Sequence, residues 1–112
     1  MTDPAISPNL LLSVVTTTVA DPETARRLAQ GAVHARLAAC VQVEAIASHY
    51  VWAGAEHADP EWRLVCKTLP HTAAALRAWL RAQHPYEVPQ LLTHEVQAEA
   101  DYAAWVAQQV SA

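Results

Sequence analysis

The 112-residue sequence has few of the residues on which several large protein classes depend. It contains two glycines, Gly31 and Gly54. This excludes a phosphate-binding loop and a glycine-rich dinucleotide turn, because both need several glycines for close backbone approach to phosphate. Its two cysteines, Cys40 and Cys66, stand far apart with no CxxC spacing. They do not form a disulfide framework and suit a reducing compartment, so we expect a cytoplasmic protein.

Charged residues and long apolar runs are also scarce. Charged residues make up 16% of the chain and the formal net charge is −4, which argues against nucleic acid or an anionic membrane as a partner. The longest apolar run, around residues 10–15, falls far short of the roughly 18 residues that a membrane-spanning helix needs. No lysine or arginine precedes that run, so it does not resemble a signal peptide either.

The residues that are present fit one small domain. Apolar residues make up 53% of the chain, and four tryptophans with no phenylalanine supply much of the bulk. A chain of this size folds alone, but it buries a modest core and would gain from a partner subunit. Residues 1–8 contain two prolines and no apolar period. We therefore expect a flexible N-terminal tail there and a single domain over residues 9–112.

The first part of the chain predicts a strand followed by a helix. Residues 10–19 are rich in Leu, Val and Thr with little alternation, which is typical of a central strand buried on both faces. Asp21 can cap a helix, and Pro22 suits its first position. The apolar stripe that follows predicts a helix that continues to Ala38 or Ala39.

The middle of the chain predicts a long hairpin. Residues 40–54 have the β-branched and aromatic bias of a strand, and residues 61–68 alternate cleanly between apolar and polar. We expect residues 53–60 to form the turn region between them. The hairpin over residues 40–68 is longer than a small helix-backed sheet requires. We infer that its ends project and pair with neighbouring subunits, which would also hide exposed strand edges.

The rest of the sequence predicts a helix, an edge strand and a C-terminal helix. Pro70 opens the second helix and His84-Pro85 ends it. Its prolines place the strand over residues 89–96 at a sheet edge or a strand start. Asp101 caps the last helix, whose apolar side carries Tyr102, Trp105, Val106 and Val110. The order β-α-β-β-α-β plus one helix predicts an α+β fold, a ferredoxin-like split βαβ sandwich with both main helices on one sheet face.

Two sets of residues have spacing that a metal site could use. His57, Asp59 and Glu61 recur at every second residue and would share one face of an extended segment, although such runs are usually solvated turn residues. Cys40 and Cys66 are candidate ligands for a soft metal such as Cu(I). The alternative is that both are small core residues, since cysteine is among the most buried residue types.

Residues 84–89 (HPYEVP) form the segment that packing explains least. Two prolines stiffen it, and it offers an imidazole, a phenol and a carboxylate between a helix and a strand, where binding loops commonly lie. Glu61 and Lys67 on the outward strand face could join these groups. The alternative is a rigid turn with ordinary surface polar residues. The sequence contains neither a nucleophile elbow nor a visible pair of carboxylates for acid–base chemistry, so we expect no enzyme.

Together these segments resemble the CutA family, small proteins linked to divalent-cation tolerance. Their order and spacing agree over about residues 10–110, and the YxWxG and HPYxxP patterns together are specific. The matching positions are Thr16-Thr17, residues 37–41 (LAACV), residues 50–54 (YVWAG), Glu61, Lys67-Thr68, residues 84–89 (HPYEVP), Asp101, Tyr102 and Trp105.

The resemblance implies a fold, an assembly and a site. It implies a ferredoxin-like subunit in a tight homotrimer, with the architecture of the PII signal proteins and with hairpins paired between subunits. It implies a cytosolic location, a tie to copper and other divalent metals, and no defined catalytic reaction. The clefts between subunits would gather Trp52, Glu61, Lys67, His84, Tyr86 and Glu87, with Cys40 nearby.

One departure from the family pattern bears on metal binding. The ligands suggested for some members are a Cys at the end of the first strand and two adjacent His before Pro-Tyr. This chain has Thr17 at the first position and Gln83-His84 at the second. A hydroxyl and an amide are poor ligands for soft or borderline metals. A site would therefore depend on His84, assisted by Cys40 or by the other two copies of His84 in a trimer.

Two functions from different classes follow. One is a trimeric, metal-responsive tolerance protein that binds Cu(II) or another divalent cation weakly through His84, with no obligatory cofactor. The other is a trimeric PII-like sensor or scaffold that binds a small anionic ligand in the inter-subunit cleft, with Lys67 as counter-charge and Trp52 and Tyr86 as walls.

Overall fold

The elements follow the predicted order. The structure, a computed structural model, describes residues 10–110, so the tail predicted at residues 1–8 and the two ends of the predicted domain lie outside it. The elements are β1 (Leu11–Val19), α1 (Pro22–His34), β2 (Cys40–Trp52), β3 (Ala55–Thr68), α2 (Ala73–Gln83), β4 (Leu92–Gln97) and α3 (Ala100–Gln109).

The four strands form one antiparallel sheet in the order β2-β3-β1-β4. This confirms the predicted α+β, ferredoxin-like fold. The apolar run in β1 lies between two strands and is buried on both faces, as Val14 and Val15 show. β4 lies at an edge, where its preceding prolines cost no ladder hydrogen bond.

One face of the sheet, here the helix-covered face, carries α1 and α2. Alternate residues of each strand point into this layer, because side chains in a strand alternate between faces. The pattern of Leu64 and Cys66 on one side and Arg63 and Lys67 on the other is the predicted one. The core of this layer consists of Val15, Val19, Ala25, Leu28, Ala32, Ala38, Leu64, Cys66, Ala73, Leu76 and Leu80.

The opposite face, here the open face, is covered at one end only. There α3 packs on Leu12 of β1 through Ala103, Val106 and Val110. Beyond α3 no other element within residues 10–110 covers this face, and Leu92 of β4 is 55% exposed. Tyr102 and Trp105 were predicted on the apolar side of α3, but they are 38% and 41% exposed, because the smaller side chains of α3 make the contact with the sheet.

The hairpin turn is much shorter than predicted. Only Ala53 and Gly54 form it, with φ of 53° and 78°, and Trp52 pairs directly with Ala55. Two successive positive φ values match the two-residue turn that suits the twist of a hairpin. Pro60 is tolerated within β3 because that part of the strand pairs with β2 on one side only, the pairing with β1 ending at Trp62. The hairpin lengthens the molecule to 53 × 29 × 21 Å.

The predicted end of the first helix was wrong by about one turn. Asp21 caps α1 as predicted, its Oδ1 accepting the Thr24 N–H at 2.8 Å. The helix ends at His34, because Arg36 adopts φ of 57° and the Leu37 N–H donates to the Ala32 carbonyl. This 6→1 bond closes a Schellman-type end, which satisfies carbonyls that the helix would otherwise leave free.

Three other boundaries also shift. α2 begins at Ala73, and Pro70 lies in the turn before it. β4 begins at Leu92, because the chain around Pro89 has not yet joined the sheet. Glu99 is the N-cap of α3, which places Asp101 in its first turn. No helix within residues 10–110 is long and apolar enough to cross a membrane.

Candidate functional site

The HPYEVP loop (residues 84–89) begins where α2 ends. His84 has an extended backbone, with φ of −74° and ψ of 136°, because the following Pro85 disfavours helical geometry at the residue before it. The loop then returns toward the hairpin, guided by contacts to β1 and to β3. These two contacts place its polar side chains.

His84 is anchored to the end of β1. It is 9% exposed, and its Nε2 lies 3.0 Å from the Thr18 carbonyl oxygen and 3.0 Å from Thr17 Oγ1. Its Nδ1 accepts the Tyr86 N–H at 3.1 Å. A carbonyl only accepts and an amide N–H only donates, so the proton sits on Nε2 and the ring is neutral.

This environment favours the neutral ring. Burial lowers the pKa of His84, while the Thr18 carbonyl and the Glu61 carboxylate oppose that shift. Both ring nitrogens are engaged in hydrogen bonds within the chain. A metal ion at Nδ1 would have to displace the Tyr86 N–H, which predicts weak rather than tight binding there.

Tyr86 continues this chain of hydrogen bonds to the hairpin. Its hydroxyl donates to Glu61 Oε2 at 2.7 Å, and its ring packs against His84 with centroids 4.9 Å apart. Burial and the bond to Glu61 raise the pKa of Tyr86, so the hydroxyl remains a donor at neutral pH. Tyr86 thus links the two sides of the site: its backbone N–H bonds His84, which is anchored to Thr18, and its hydroxyl bonds Glu61.

A cavity of about 760 Å³, here the hairpin cavity, lies between the HPYEVP loop and the part of the hairpin that runs along β2 from Ile46 to Trp52. Four of the expected cleft residues line it, namely Trp52, Glu61, Tyr86 and Glu87. Tyr50 lines it as well; its hydroxyl donates to Asp59 Oδ2 at 2.6 Å, and its ring stacks on His57 at 5.1 Å. One chain therefore gathers most of the expected cleft by itself.

Lys67 belongs to a different cavity. This sheet-face cavity, of about 730 Å³, lies on the open face beside the start of α3. Lys67 Nζ donates to Gln42 Oε1 at 2.8 Å, while Arg63, which borders both cavities, pairs with Glu44 at 3.2 Å. Lys67 would join the other cleft residues only through a neighbouring subunit.

One chain does not bring Cys40 and His84 together. Cys40 is half-buried on the open face, opposite Lys67 in the β2–β3 register. Thr17, which anchors His84, lies on the other face and pairs with Leu64, about 10 Å farther along β3. Across the part of the chain that is described, no three His, Cys, Asp or Glu side chains are arranged to hold a metal ion.

The predicted alternation of His57, Asp59 and Glu61 is real, but these side chains have other partners. Tyr50 stacks on His57 and donates to Asp59, and Tyr86 donates to Glu61. Cys66 is a core residue: it is fully buried on the helix-covered face, and burial raises the pKa of its thiol to about 12.

Sequence reasoning missed Tyr50, Thr18 and Arg63 as residues of the site. The signal was present in the strand period, because Tyr50 stands two residues before Trp52 and shares its face. The predicted turn over residues 53–60 hid it, since that turn leaves His57 and Asp59 without strand partners. Once the turn is two residues long, Tyr50 pairs with His57 in register.

Comparison with known proteins agrees with the fold and the motifs. The sequence model of a family described as CutA1 divalent ion tolerance protein matches residues 13–109. The chain belongs to the CutA family. The divalent-cation tolerance protein CutA of Thermus thermophilus is 37% identical over 95 residues, which is 83% of this chain and 92% of that protein. The resemblance drawn from the motifs is thereby confirmed.

Solved CutA structures share the whole architecture. CutA from Synechococcus elongatus PCC7942 superposes with a TM-score of 0.87 at 37% identity, covering 91% of this chain and 92% of that one. The periplasmic divalent cation tolerance protein CutA from Archaeoglobus fulgidus gives a TM-score of 0.86 at 26% identity, covering 89% and 99%. The match to CutA therefore extends over the hairpin and α3.

Proposed function

We propose that this chain acts as a homotrimeric divalent-cation tolerance protein with a metal-response or signalling role. In this proposal it binds Cu(II) or another divalent cation weakly through His84 and catalyses no reaction. The observation that carries the proposal is the open face together with the long hairpin, because the described part of one chain leaves much of both without cover. The names of its CutA relatives support the tolerance role.

Exposed apolar side chains support the trimer. Six of the nine large ones within residues 10–110 lie on the hairpin, the HPYEVP loop and β4, namely Val43, Tyr50, Val51, Trp52, Val88 and Leu92. β2 is an edge strand over its whole length, and β3 has one unpaired side beyond Trp62 within the described residues. Exposed apolar side chains and free strand edges are features of a protein interface. Three copies related by a closed rotation would cover both.

Native mass spectrometry of the untagged protein tests the assembly. We expect a mass of three chains. Val65→Asp places a charge in the middle of the open face and should leave monomer, since an unpaired charge is costly to bury. Ala78→Asp, on the exposed side of α2, is the matched control and should remain trimeric. A wild-type monomer at micromolar concentration would contradict the proposal.

Metal binding is tested in the same instrument with one equivalent of Cu(II) per chain. We expect weak uptake that His84→Ala abolishes, because the residues at the other two suggested ligand positions, Thr17 and Gln83, are poor ligands. Cys40→Ser tests whether a thiol from a neighbouring subunit assists. Lys67→Ala is the control and should leave uptake intact. Copper uptake that does not depend on His84 would reject the proposed site.

A second candidate function is a PII-like sensor or scaffold that binds a small anion in the inter-subunit cleft. One observation favours it: Lys67 hydrogen-bonds a neutral amide, and no carboxylate within residues 10–110 pairs with its charge as Glu44 pairs with that of Arg63. Titration with inorganic phosphate and with succinate tests it. Binding that Lys67→Ala removes and His84→Ala leaves intact would favour this function over the first.

We also propose a cytoplasmic location. Both cysteines are free, and they lie on opposite faces of the sheet, so they cannot bond to each other within the chain. Unpaired thiols suit a reducing compartment. Fractionation of the source cells with an antibody to the protein tests this, and recovery from a compartment outside the cytoplasm would contradict it.

A further inference from the structure

Tyr86 makes two hydrogen bonds that join His84 to the hairpin. Its backbone N–H donates to Nδ1 of His84, and its hydroxyl donates to Oε2 of Glu61. We infer that Tyr86 keeps Nδ1 of His84 closed to metal ions, and that Glu61 holds Tyr86 in this place. The inference rests on the proposed function, since it concerns the same imidazole, and it names the contact that sets the affinity of that site.

Only one ring nitrogen of His84 can accept a metal ion. Coordination needs a nitrogen lone pair, and Nε2 carries the proton that the Thr18 carbonyl accepts at 3.0 Å. Nδ1 has the remaining lone pair, which accepts the Tyr86 N–H at 3.1 Å. A cation and an N–H cannot share this lone pair. Uptake at His84 therefore requires the Tyr86 N–H to turn away.

The bond to Nδ1 is the weaker of the two bonds that Tyr86 makes. It joins two neutral groups at 3.1 Å, whereas the hydroxyl lies 2.7 Å from a carboxylate oxygen of Glu61. Hydrogen bonds to ionised acceptors are roughly twice as strong as those between neutral groups. The N–H leaves Nδ1 when the Pro85–Tyr86 peptide plane rotates. The bond to Glu61 restrains the side chain attached to that plane, so it limits the rotation.

The surroundings of Tyr86 allow it to move only as a minor event. Its ring packs on the imidazole of His84 with centroids 4.9 Å apart, which adds to the restraint. Its neighbours Pro85 and Glu87 are exposed, so the loop can turn outward there without uncovering the core. When the competent state is a minor one, the apparent affinity falls in proportion to its population. Loss of the bond to Glu61 should raise that population and tighten metal binding.

Calorimetric titration of the assembled full chain with Cu(II) chloride tests the inference. Tyr86→Phe keeps the ring and the N–H but loses the bond to Glu61, and it should bind Cu(II) about threefold to tenfold more tightly than wild type. Adding His84→Ala to this variant should abolish the gain. Tyr50→Phe is the matched control. It removes a 2.6 Å bond from a tyrosine to the carboxylate of Asp59, and it should leave the affinity unchanged.

A second measurement needs no metal. Hydrogen exchange at the Tyr86 amide, followed by NMR of ¹⁵N-labelled protein, reports on the bond to Nδ1. Glu61→Ala removes the acceptor of the Tyr86 hydroxyl and should speed this exchange about threefold or more. Asp59→Ala removes the same charge and the acceptor of Tyr50, and should leave the exchange unchanged. Circular dichroism and native mass spectrometry confirm that each variant folds and assembles.

The possible results separate this inference from the proposed function. Tighter copper binding by Tyr86→Phe that depends on His84 supports the inference, because loss of a merely structural contact would not raise the affinity. Equal, His84-dependent binding by wild type and Tyr86→Phe overturns the inference and leaves the proposed function standing. Copper binding that does not depend on His84, or no binding by either protein, overturns both. Unchanged exchange at the Tyr86 amide in Glu61→Ala overturns the inference whatever the copper result.

Discussion

The two faces of the sheet are formed by the same strands, but one is buried within the chain and the other is largely exposed. On the helix-covered face, Leu64 and Cys66 are fully buried by α1 and α2. On the open face, the adjacent Val65 is half-buried, and Arg63 and Lys67 reach cavities. A period of two places neighbours on opposite faces, so one stretch of sequence contributes both to the core and to a surface that the described residues leave largely uncovered.

The difference shows that the buried area within one chain does not measure all the packing that its apolar residues can make. The helix-covered face is complete in the monomer, so its residues stabilise folding directly. The open face is apolar at Val14 and Val65 and is bordered by charged side chains, a pattern typical of an interface. Its contribution to stability should therefore depend on assembly and on protein concentration.

The largest effect on the free energy of unfolding is expected from substitutions at two neighbouring residues that lie on opposite faces. Leu64→Ala leaves a cavity in the core and should lower the free energy of unfolding by about 2–5 kcal/mol at every protein concentration. Val65→Ala should cost less, and if the proposed trimer covers the open face, its cost should change with protein concentration. Urea unfolding at two concentrations measures both. Identical, concentration-independent losses would remove the distinction between the faces.

The next prediction tests how tightly α1 and α2 pack against each other. A Cβ at Gly31 of α1 would lie 2.6 Å from Cη2 and 2.8 Å from Cζ2 of Trp79 on α2. We expect Gly31→Ala to cost about 1–2 kcal/mol, because the clash outweighs the gain of about 1 kcal/mol in helix propensity. In a Trp79→Leu background the same change should instead stabilise. Stabilisation by Gly31→Ala alone would show that the indole moves aside at little cost.

A smaller effect concerns His84, which links the loop to the end of β1. Its pKa is lowered in the folded state from an ordinary value of 6.5. Its contribution to stability is therefore fully present above pH 6.5 and is lost as the pH falls through the folded pKa, because the unfolded chain takes up the proton first. Wild type should lose more stability between pH 7.5 and pH 5.5 than His84→Gln does. The exposed His34→Gln is the control and should follow wild type, and equal slopes in all three proteins would contradict the prediction.

The last prediction concerns solvent access rather than stability. The reactivity of one cysteine on each face, Cys40 and Cys66, measures it. Cys66 is fully buried with a pKa raised to about 12, so it should not react with iodoacetamide at pH 8 in the folded protein. Cys40 is half-buried on the open face and should take up label first. Intact mass measurement of wild type and of Cys40→Ser reads the difference. Labelling of Cys66 in the Cys40→Ser variant without denaturant would show that α1 and α2 move away from the sheet.

Much of the fold was predictable because it depends on local chemistry. Asp21 and Pro22 start α1 where the sequence indicated, and the unbroken apolar run of β1 predicted its central position. The errors lie where backbone geometry overrides residue type. Arg36 and Ala53 adopt positive φ, which neither residue prefers, so the end of α1 and the turn of the hairpin could not be read from composition.

The candidate site also has a part that the sequence predicted and a part that it did not. The stiff HPYEVP loop, with its imidazole and phenol, was visible as a candidate because its prolines and polar groups are adjacent in sequence. The roles of these groups were not visible. Whether His84 is a free ligand or an anchored ring depends on Thr17 and Thr18, which are more than sixty residues away along the chain.

The sequence by itself determined the element order, the alternation that divides each strand between two faces, and membership of the CutA family. These depend on spacing along one chain, which folding does not change. Only the tertiary structure decided that His84 is neutral and engaged at both nitrogens, that Tyr50 joins Trp52 and Glu61 at one cavity, and that Lys67 stands at another. Those facts depend on strand register and on which strands become neighbours, and long-range pairing sets both.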